Sequence, residues 1–209
     1  MAKKDERYYR KQYKNQKILR RDKETLKAMT KCHYLAKEHF DRMKFSNKSL
    51  NRFLKMGVIE SVEKIDKHSN DTVQLYRLTD YGKDYYRREI NPQESFYSST
   101  GHEHDLRVAD VYTELYSTGV PFEWKTEREL QQDFKDRIDE IRERDYNQAE
   151  QMLNDYRAGV YSSPDFAYSI GGETVMVEVI TGSGTYTESH IQAKTDFGNQ
   201  LGHTVQFIK

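Results

Sequence analysis

Residues 53–59 read Phe53-Leu54-Lys55-Met56-Gly57-Val58-Ile59, and the fold of the N-terminal half turns on them. Leu50, Phe53 and Leu54 recur at helical spacing, and Gly57 tolerates the positive φ on which a helix can end. Val58 and Ile59 then open an alternating apolar run, so the stretch predicts a helix that leads directly into a strand. Ser46-Asn47 supplies the N-cap, because a short polar side chain accepts a bond from a first-turn amide that has no partner within the helix. Working outward, β-like runs over 58–65 and 72–78 flank the polar segment 66–71, the pattern of a hairpin. Leu78-Thr79-Asp80-Tyr81-Gly82 opens a further helix to about residue 89. Upstream, Ile18, Leu19, Leu26 and Met29 suit one helix, and Tyr34, Leu35 and Phe40 a second. The order over about residues 18–90 is helix, helix, helix, hairpin, helix.

Charge divides the chain at about the same place. All 209 residues together carry 34 Lys+Arg and 34 Asp+Glu, a formal net charge of zero. Residues 1–90 hold 24 basic and 13 acidic side chains, a net +11, and residues 91–209 hold 10 and 21, a net −11. A basic excess of that size predicts nucleic-acid contact by the first half. Leu, Ile, Val and Phe total 42 residues, close to the roughly 20 % below which a highly charged chain stays disordered. The 16 Tyr offset this, since each buries a ring while its hydroxyl stays wet. A folded protein with thin cores is expected. The polar, turn-rich segment 91–101 marks the expected linker between a domain at 18–90, preceded by a basic arm at 1–17, and a second domain at 102–209. No run approaches the ~18 consecutive apolar residues of a membrane span, and the N-terminus lacks the apolar core of a signal peptide. Cys32, the single cysteine, excludes an internal disulfide and a Cys-rich zinc site. These features together predict a cytoplasmic protein without membrane contact.

The N-terminal order resembles a winged helix-turn-helix domain. In that resemblance residues 53–59 look like a recognition helix running into the first wing strand, and Tyr76-Arg77-Leu78-Thr79-Asp80-Tyr81-Gly82 like the exit from the second. Asn47, Lys48, Asn51, Arg52 and Lys55 then face solvent, where Asn and Arg can read base edges and Lys meets phosphates. Lys64, Lys67 and His68, at the wing, would reach a neighbouring groove or the backbone. The implied partner is double-stranded DNA. The plainer alternatives are a solvated charged face or a winged helix that binds protein. In the arm, Lys3, Lys4, Arg7, Arg10, Lys11, Lys14 and Lys17 alternate with Tyr8, Tyr9 and Tyr13. Such an arm is either disordered, lying along phosphates with tyrosines stacked on exposed bases, or a frayed helical extension that touches nothing.

The acidic half reads as mixed α and β. Leu106, Val108, Ala109, Val111, Tyr112, Leu115 and Tyr116 fall at helical spacing before Gly119, and residues 122–127 alternate like a strand. Residues of about 130–158 are heavily charged, yet Phe134, Ile138, Ile141, Ala149, Met152 and Tyr156 recur every three or four positions. This predicts one long amphipathic helix, or two, inserted between strands. A second copy could pair along it to give a homodimer, although Asp145 breaks the seam. Runs over 164–170 and 174–180 flank the turn Gly171-Gly172, and a helix over about 186–199 precedes a strand at 203–208. The order is α-β-β-β-α-β, so the fold class is α+β with two domains.

Here the residues resemble the PD-(D/E)xK nuclease superfamily. Pro164-Asp165 looks like its first strand motif, and Glu178, thirteen residues later on the hairpin's partner strand, like its second. Carboxylates converging from adjacent strands can hold Mg²⁺ or Mn²⁺, which polarises a phosphate and activates water. The resemblance therefore implies Asp165 and Glu178 as metal ligands, with Glu103 or Asp110 as a further acid. It departs at one position: the lysine two residues after the acid is Ile180, on the face where a cation should stand. Lys194 or Gln192 on the following helix could take that place. Glu123-Trp124-Lys125 also spells E-x-K, but without a preceding Pro-Asp hairpin it reads as an ordinary strand with a surface pair.

The plain alternative for Asp165 is a turn residue capping backbone amides, and for Glu178 a buried acid with a structural partner. His102, His104 and His190 are candidate ligands or proton donors, or ordinary surface histidines. The whole layout, including His102-Glu103-His104-Asp105-Leu106-Arg107-Val108-Ala109-Asp110, resembles the replication-relaxation family and MOB_C-type mobilisation relaxases. That resemblance implies a DNA-binding protein of a plasmid, integrative element or phage, acting at an origin of transfer or replication beside relaxosome or replication proteins. Without the motif lysine, a competing expectation is a non-enzymatic transcriptional regulator or relaxosome accessory factor. In it the nuclease-like core serves dimerisation or partner binding and takes no metal.

Overall fold

The computed structural model describes residues 6–13, 16–65, 70–97, 101–182 and 186–209. The chain is mixed α+β and forms two compact units, which divide after Gly119. No helix among the described residues is long and apolar enough to cross a membrane.

The first unit begins with α1 (Glu6–Tyr13), α2 (Arg20–Cys32), α3 (Lys37–Arg42) and α4 (Asn47–Lys55). Leu26, Ala28 and Met29 bury one face of α2. The helix α3 is shorter than its apolar spacing suggests, because Tyr34 and Leu35 lie outside it. Leu35 instead exchanges two backbone hydrogen bonds with Tyr76, at 2.9 and 2.8 Å. Ser46 caps α4 by accepting from the Ser49 amide at 3.1 Å, and Leu50 and Phe53 bury the inner face. Gly57, at φ +68°, turns the chain into the strand β1 (Ile59–Ile65). Its antiparallel partner β2 (Thr72–Leu78) pairs Ile59 with Leu78 and Ile65 with Thr72. Residues 66–69, with Lys67 and His68, lie outside the described residues.

The helix α5 (Asp80–Glu89) starts at Thr79, whose hydroxyl accepts from the Gly82 amide at 2.9 Å. A Cβ on Gly82 would stand 2.0 Å from the Val58 carbonyl oxygen, so only glycine lets α5 approach β1 this closely.

The expected linker is part of the folded unit where it is described. Glu94 is buried against Lys31 at 2.9 Å, the Tyr97 amide donates to the Thr30 carbonyl at 2.8 Å, and the Arg87 guanidinium lies over Phe96. The next helix, α6 (His102–Thr118), packs on α2 and α3. The compact unit therefore extends past both the expected linker and the start expected for the second domain. Division after Gly119 gives the first unit 25 basic and 18 acidic side chains, a net +7, and the second a net −7.

The second unit is built on β3 (Glu123–Thr126), α7 (Glu127–Arg142), α8 (Tyr146–Arg157), β4 (Phe166–Ile170), β5 (Glu173–Val179), α9 (Glu188–Gln200) and β6 (Thr204–Ile208). The charged insertion is thus two helices. Asp145 is the N-cap of α8, accepting from the Gln148 amide at 3.0 Å. Strand order is β3-β4-β5-β6, antiparallel except for β6, which runs parallel to β5 after the α9 crossover. Leu130, Phe134, Ile138, Met152, Ala167, Met176 and Phe197 form the core between helices and sheet, with Phe134 and Phe197 stacked at 4.4 Å.

Candidate functional site

In the first unit, α4 presents Asn47, Lys48, Asn51 and Lys55 to solvent while Leu50 and Phe53 anchor it. Arg52, expected on the same outer face, turns inward. Its Nη2 donates to Asp22 Oδ2 at 2.6 Å, and its guanidinium lies over the Phe53 ring. Asp22 is 2 % exposed, so this pair bolts α4 to α2. Lys64 is half-buried on β1. Of the arm, Lys3, Lys4 and Lys14 lie outside the described residues, while residues 6–13 are helical and touch the domain. Arg10 Nε donates to the Met56 carbonyl at 2.9 Å.

The acids and histidines of α6 connect it to α2, α3 and the segment before it. His33 Nδ1 stands 2.9 Å from the fully buried Asp105 carboxylate. His39 Nε2 and Arg42 Nη1 reach Asp110 Oδ1 at 3.2 and 2.7 Å. Burial pushes the Asp110 carboxyl up, but the His39 and Arg42 bonds outweigh it and hold the group below the usual range. Asp110 therefore works within the first unit. Glu103 and His102 are half-buried on α6, and His104 Nδ1 lies 3.1 Å from the Tyr97 hydroxyl.

In the second unit, Asp165 immediately precedes β4 and Glu178 lies on β5, its hairpin partner. Asp165 Oδ2 accepts from the Val179 amide at 2.8 Å, the backbone role considered for it, and its charge is felt at Glu178. Glu178 is 5 % exposed. Its Oε1 accepts a short hydrogen bond from the Tyr186 hydroxyl. Its Oε2 stands 2.9 Å from Lys194 Nζ, an ion pair outside hydrogen-bond alignment. Lys194 also donates to the Ser163 carbonyl at 2.5 Å. Burial, then the Asp165 charge, raise the Glu178 carboxyl above its ordinary range, against the pull of Lys194 and Tyr186. Burial and the Glu178 bond likewise raise the Tyr186 hydroxyl.

Asp165, Glu178 and Lys194 thus belong to one cluster. Ile180 is half-buried and donates its amide to the Ile208 carbonyl at 2.8 Å. Gln192 bonds Asp196, and Lys125 forms a 2.7 Å surface pair with Asp133. His190 is exposed, its ring 5.7 Å from that of Tyr186, and its Nδ1 accepts from the Thr187 amide at 3.2 Å. Tyr186 is the member that sequence reasoning missed. Its one signal was a position just ahead of the α9 cap, close in sequence to the end of β5. Among the described residues no three His, Cys, Asp or Glu side chains form a metal-binding group. Comparison of the chain with protein families, curated proteins and solved structures found no match, so both sites are read from their own geometry.

Proposed function

We propose that the chain is a DNA-binding protein of a mobile element that engages duplex DNA through a winged helix-turn-helix and nicks it with a PD-(D/E)xK-like core. One observation carries the nicking step: Lys194 Nζ of α9 stands 2.9 Å from Glu178, so that acid has a cation beside it although Ile180 supplies none. The helix order, the hairpin after Gly57 and the exposed Asn47, Lys48, Asn51 and Lys55 support the DNA-binding half. The resemblance to replication-relaxation proteins and mobilisation relaxases suggests an origin of transfer or replication as the site of action.

Asp165, just ahead of β4, and Glu178, on β5, offer hard oxygen donors, those of Glu178 already facing Tyr186 and Lys194. This set suits Mg²⁺ or Mn²⁺, since such ions need only one or two carboxylates and complete their shells with water and phosphate oxygens. A bound ion would supply Lewis acidity toward the scissile phosphate and a more acidic water. In this reading the chain's own groups do the rest. Lys194 offsets charge at the phosphate, the Val179 amide fixes the Asp165 carboxylate, and Tyr186 holds the orientation of Glu178.

The expected result is Mg²⁺-dependent nicking of supercoiled DNA carrying the site, lost by about 10²-fold or more in Lys194→Ala and abolished in Glu178→Ala. Nicking unchanged by Glu178→Ala would overturn the site. A second reading, a transcriptional regulator or relaxosome accessory factor, is favoured by one feature: both Glu178 oxygens already face donors of the chain itself. Salt-sensitive DNA binding without metal-dependent nicking would select it.

A further inference from the structure

The helix α1 is held by contacts that its sequence of alternating cations and tyrosines does not announce. Arg10 is the anchor: its Nε bonds the Met56 carbonyl just beyond α4, and its guanidinium centres 3.5 Å over the Tyr81 ring of α5. This brings the Lys55 amine of α4 to 5.6 Å from the Tyr9 ring. Tyr9 and Tyr13 stack at 6.2 Å with planes 12° apart, and Tyr8 meets Tyr9 edge-on at 5.4 Å. None of the helix's residues is buried, and Arg7 and Lys11 are exposed beside the tyrosines. Tyr8 is exposed and Tyr9 and Tyr13 are half-buried, so three rings interleaved with cations and adjoining Lys55 keep part of their surface open to solvent.

We propose that α1 is a stacking platform for unpaired nucleotides, which continues the duplex-binding face of α4 into a single-stranded flank. The inference rests on the duplex-binding reading above. The chemistry is sequence-tolerant, because every base offers a π-face to a tyrosine ring, while Arg7, Lys11 and Lys55 meet the phosphates between bases. The ligand class is therefore duplex DNA with an unpaired tail.

The test compares the full chain on two fluorescent DNAs with the same duplex, one blunt and one carrying an oligothymidine tail at either end, by anisotropy. The tail should tighten binding about 10-fold, the yield of roughly one stacked base. In Tyr9→Leu/Tyr13→Leu, which keeps apolar bulk, the ratio of tailed to blunt affinity should fall to near one at an unchanged thermal midpoint. Equal affinity of the wild type for both DNAs would overturn the platform and leave the duplex reading standing, as would a variant that keeps the wild-type ratio. Absence of salt-sensitive binding to either DNA would overturn the duplex reading itself.

Discussion

Arg52 sits on the helix expected to meet DNA, yet its position on the helical wheel does not decide its role. Asp22, 2 % exposed on α2, takes the guanidinium at 2.6 Å and the Leu19 amide at 3.2 Å. An arginine this deep, 15 % exposed, holds the helix pair together in place of searching a groove. Arg52→Ala leaves a buried carboxylate without its cation and should lower stability by about 3 kcal/mol in urea denaturation. DNA affinity, measured well below the melting midpoint, should stay within about 3-fold, whereas Asn51→Ala should weaken it by about 1–3 kcal/mol if it reads a base. Lost affinity at unchanged stability in Arg52→Ala would return that residue to the DNA face. The same distinction explains what could be read of the acidic cluster. Pro164-Asp165 and Glu178 carry a recognisable spacing, and the gap at Ile180 pointed toward α9. Tyr186 carries no such spacing, because its bond to Glu178 is a tertiary contact that its neighbours in the sequence do not encode.

At the scale of elements, the hairpin and α4 were legible because alternation and capping are local. The strands β1 and β2 fall within a residue of the apolar runs, and Ser46 caps as its residue type suggests. The shortened α3 was not legible, since the Leu35–Tyr76 bridge is a pairing between distant residues that outweighs a helical spacing. In the insertion the local signal existed, but Asp145 serves as the cap of a second helix and not merely as a break. The junction of α5 with β1 adds a demand that a glycine in a sequence cannot by itself express. Gly82 faces the Val58 carbonyl, and an added Cβ would lie 2.0 Å from that backbone oxygen, with Val58 Cα also within 3.3 Å. No flexible side chain can yield there. Gly82→Ala should therefore cost about 3 kcal/mol in chemical denaturation, against the small gain that removing a helical glycine normally brings. A change under about 0.5 kcal/mol, the range of indifferent surface substitutions, would show that α5 and β1 do not meet this closely.

At the scale of the molecule, the zero net charge separates into +7 and −7 units rather than +11 and −11 halves, because α6 and the segment before it belong to the first unit. Those residues are acidic, and several of their acids are spent inside the fold. Glu94 pairs with Lys31, Asp105 with His33, and Asp110 with His39 and Arg42. They pair with groups at α2 and α3 and leave Arg7 and Lys11 of α1 and Lys48 and Lys55 of α4 exposed, so the loss of net positive charge does not fall on the proposed DNA face. The same pairs make residues 1–119 the unit that should fold alone. A fragment ending at residue 90 is more basic, but it strips the cover from Lys31, which is 7 % exposed, and from Cys32, which is fully buried. Its lost apolar contacts with Val108, Ala109 and Tyr112, all within the buried core, add to that cost. The fragment 1–119 should melt cooperatively and retain salt-sensitive duplex binding. The fragment 1–90 should melt at least ~10 °C lower, or without a cooperative transition, and bind DNA more weakly despite its higher charge. Equal midpoints for the two fragments would mean that α6 is an appendage and that the division belongs near residue 90, and tighter binding by 1–90 would mean that net charge, not the folded α4 face, governs the contact.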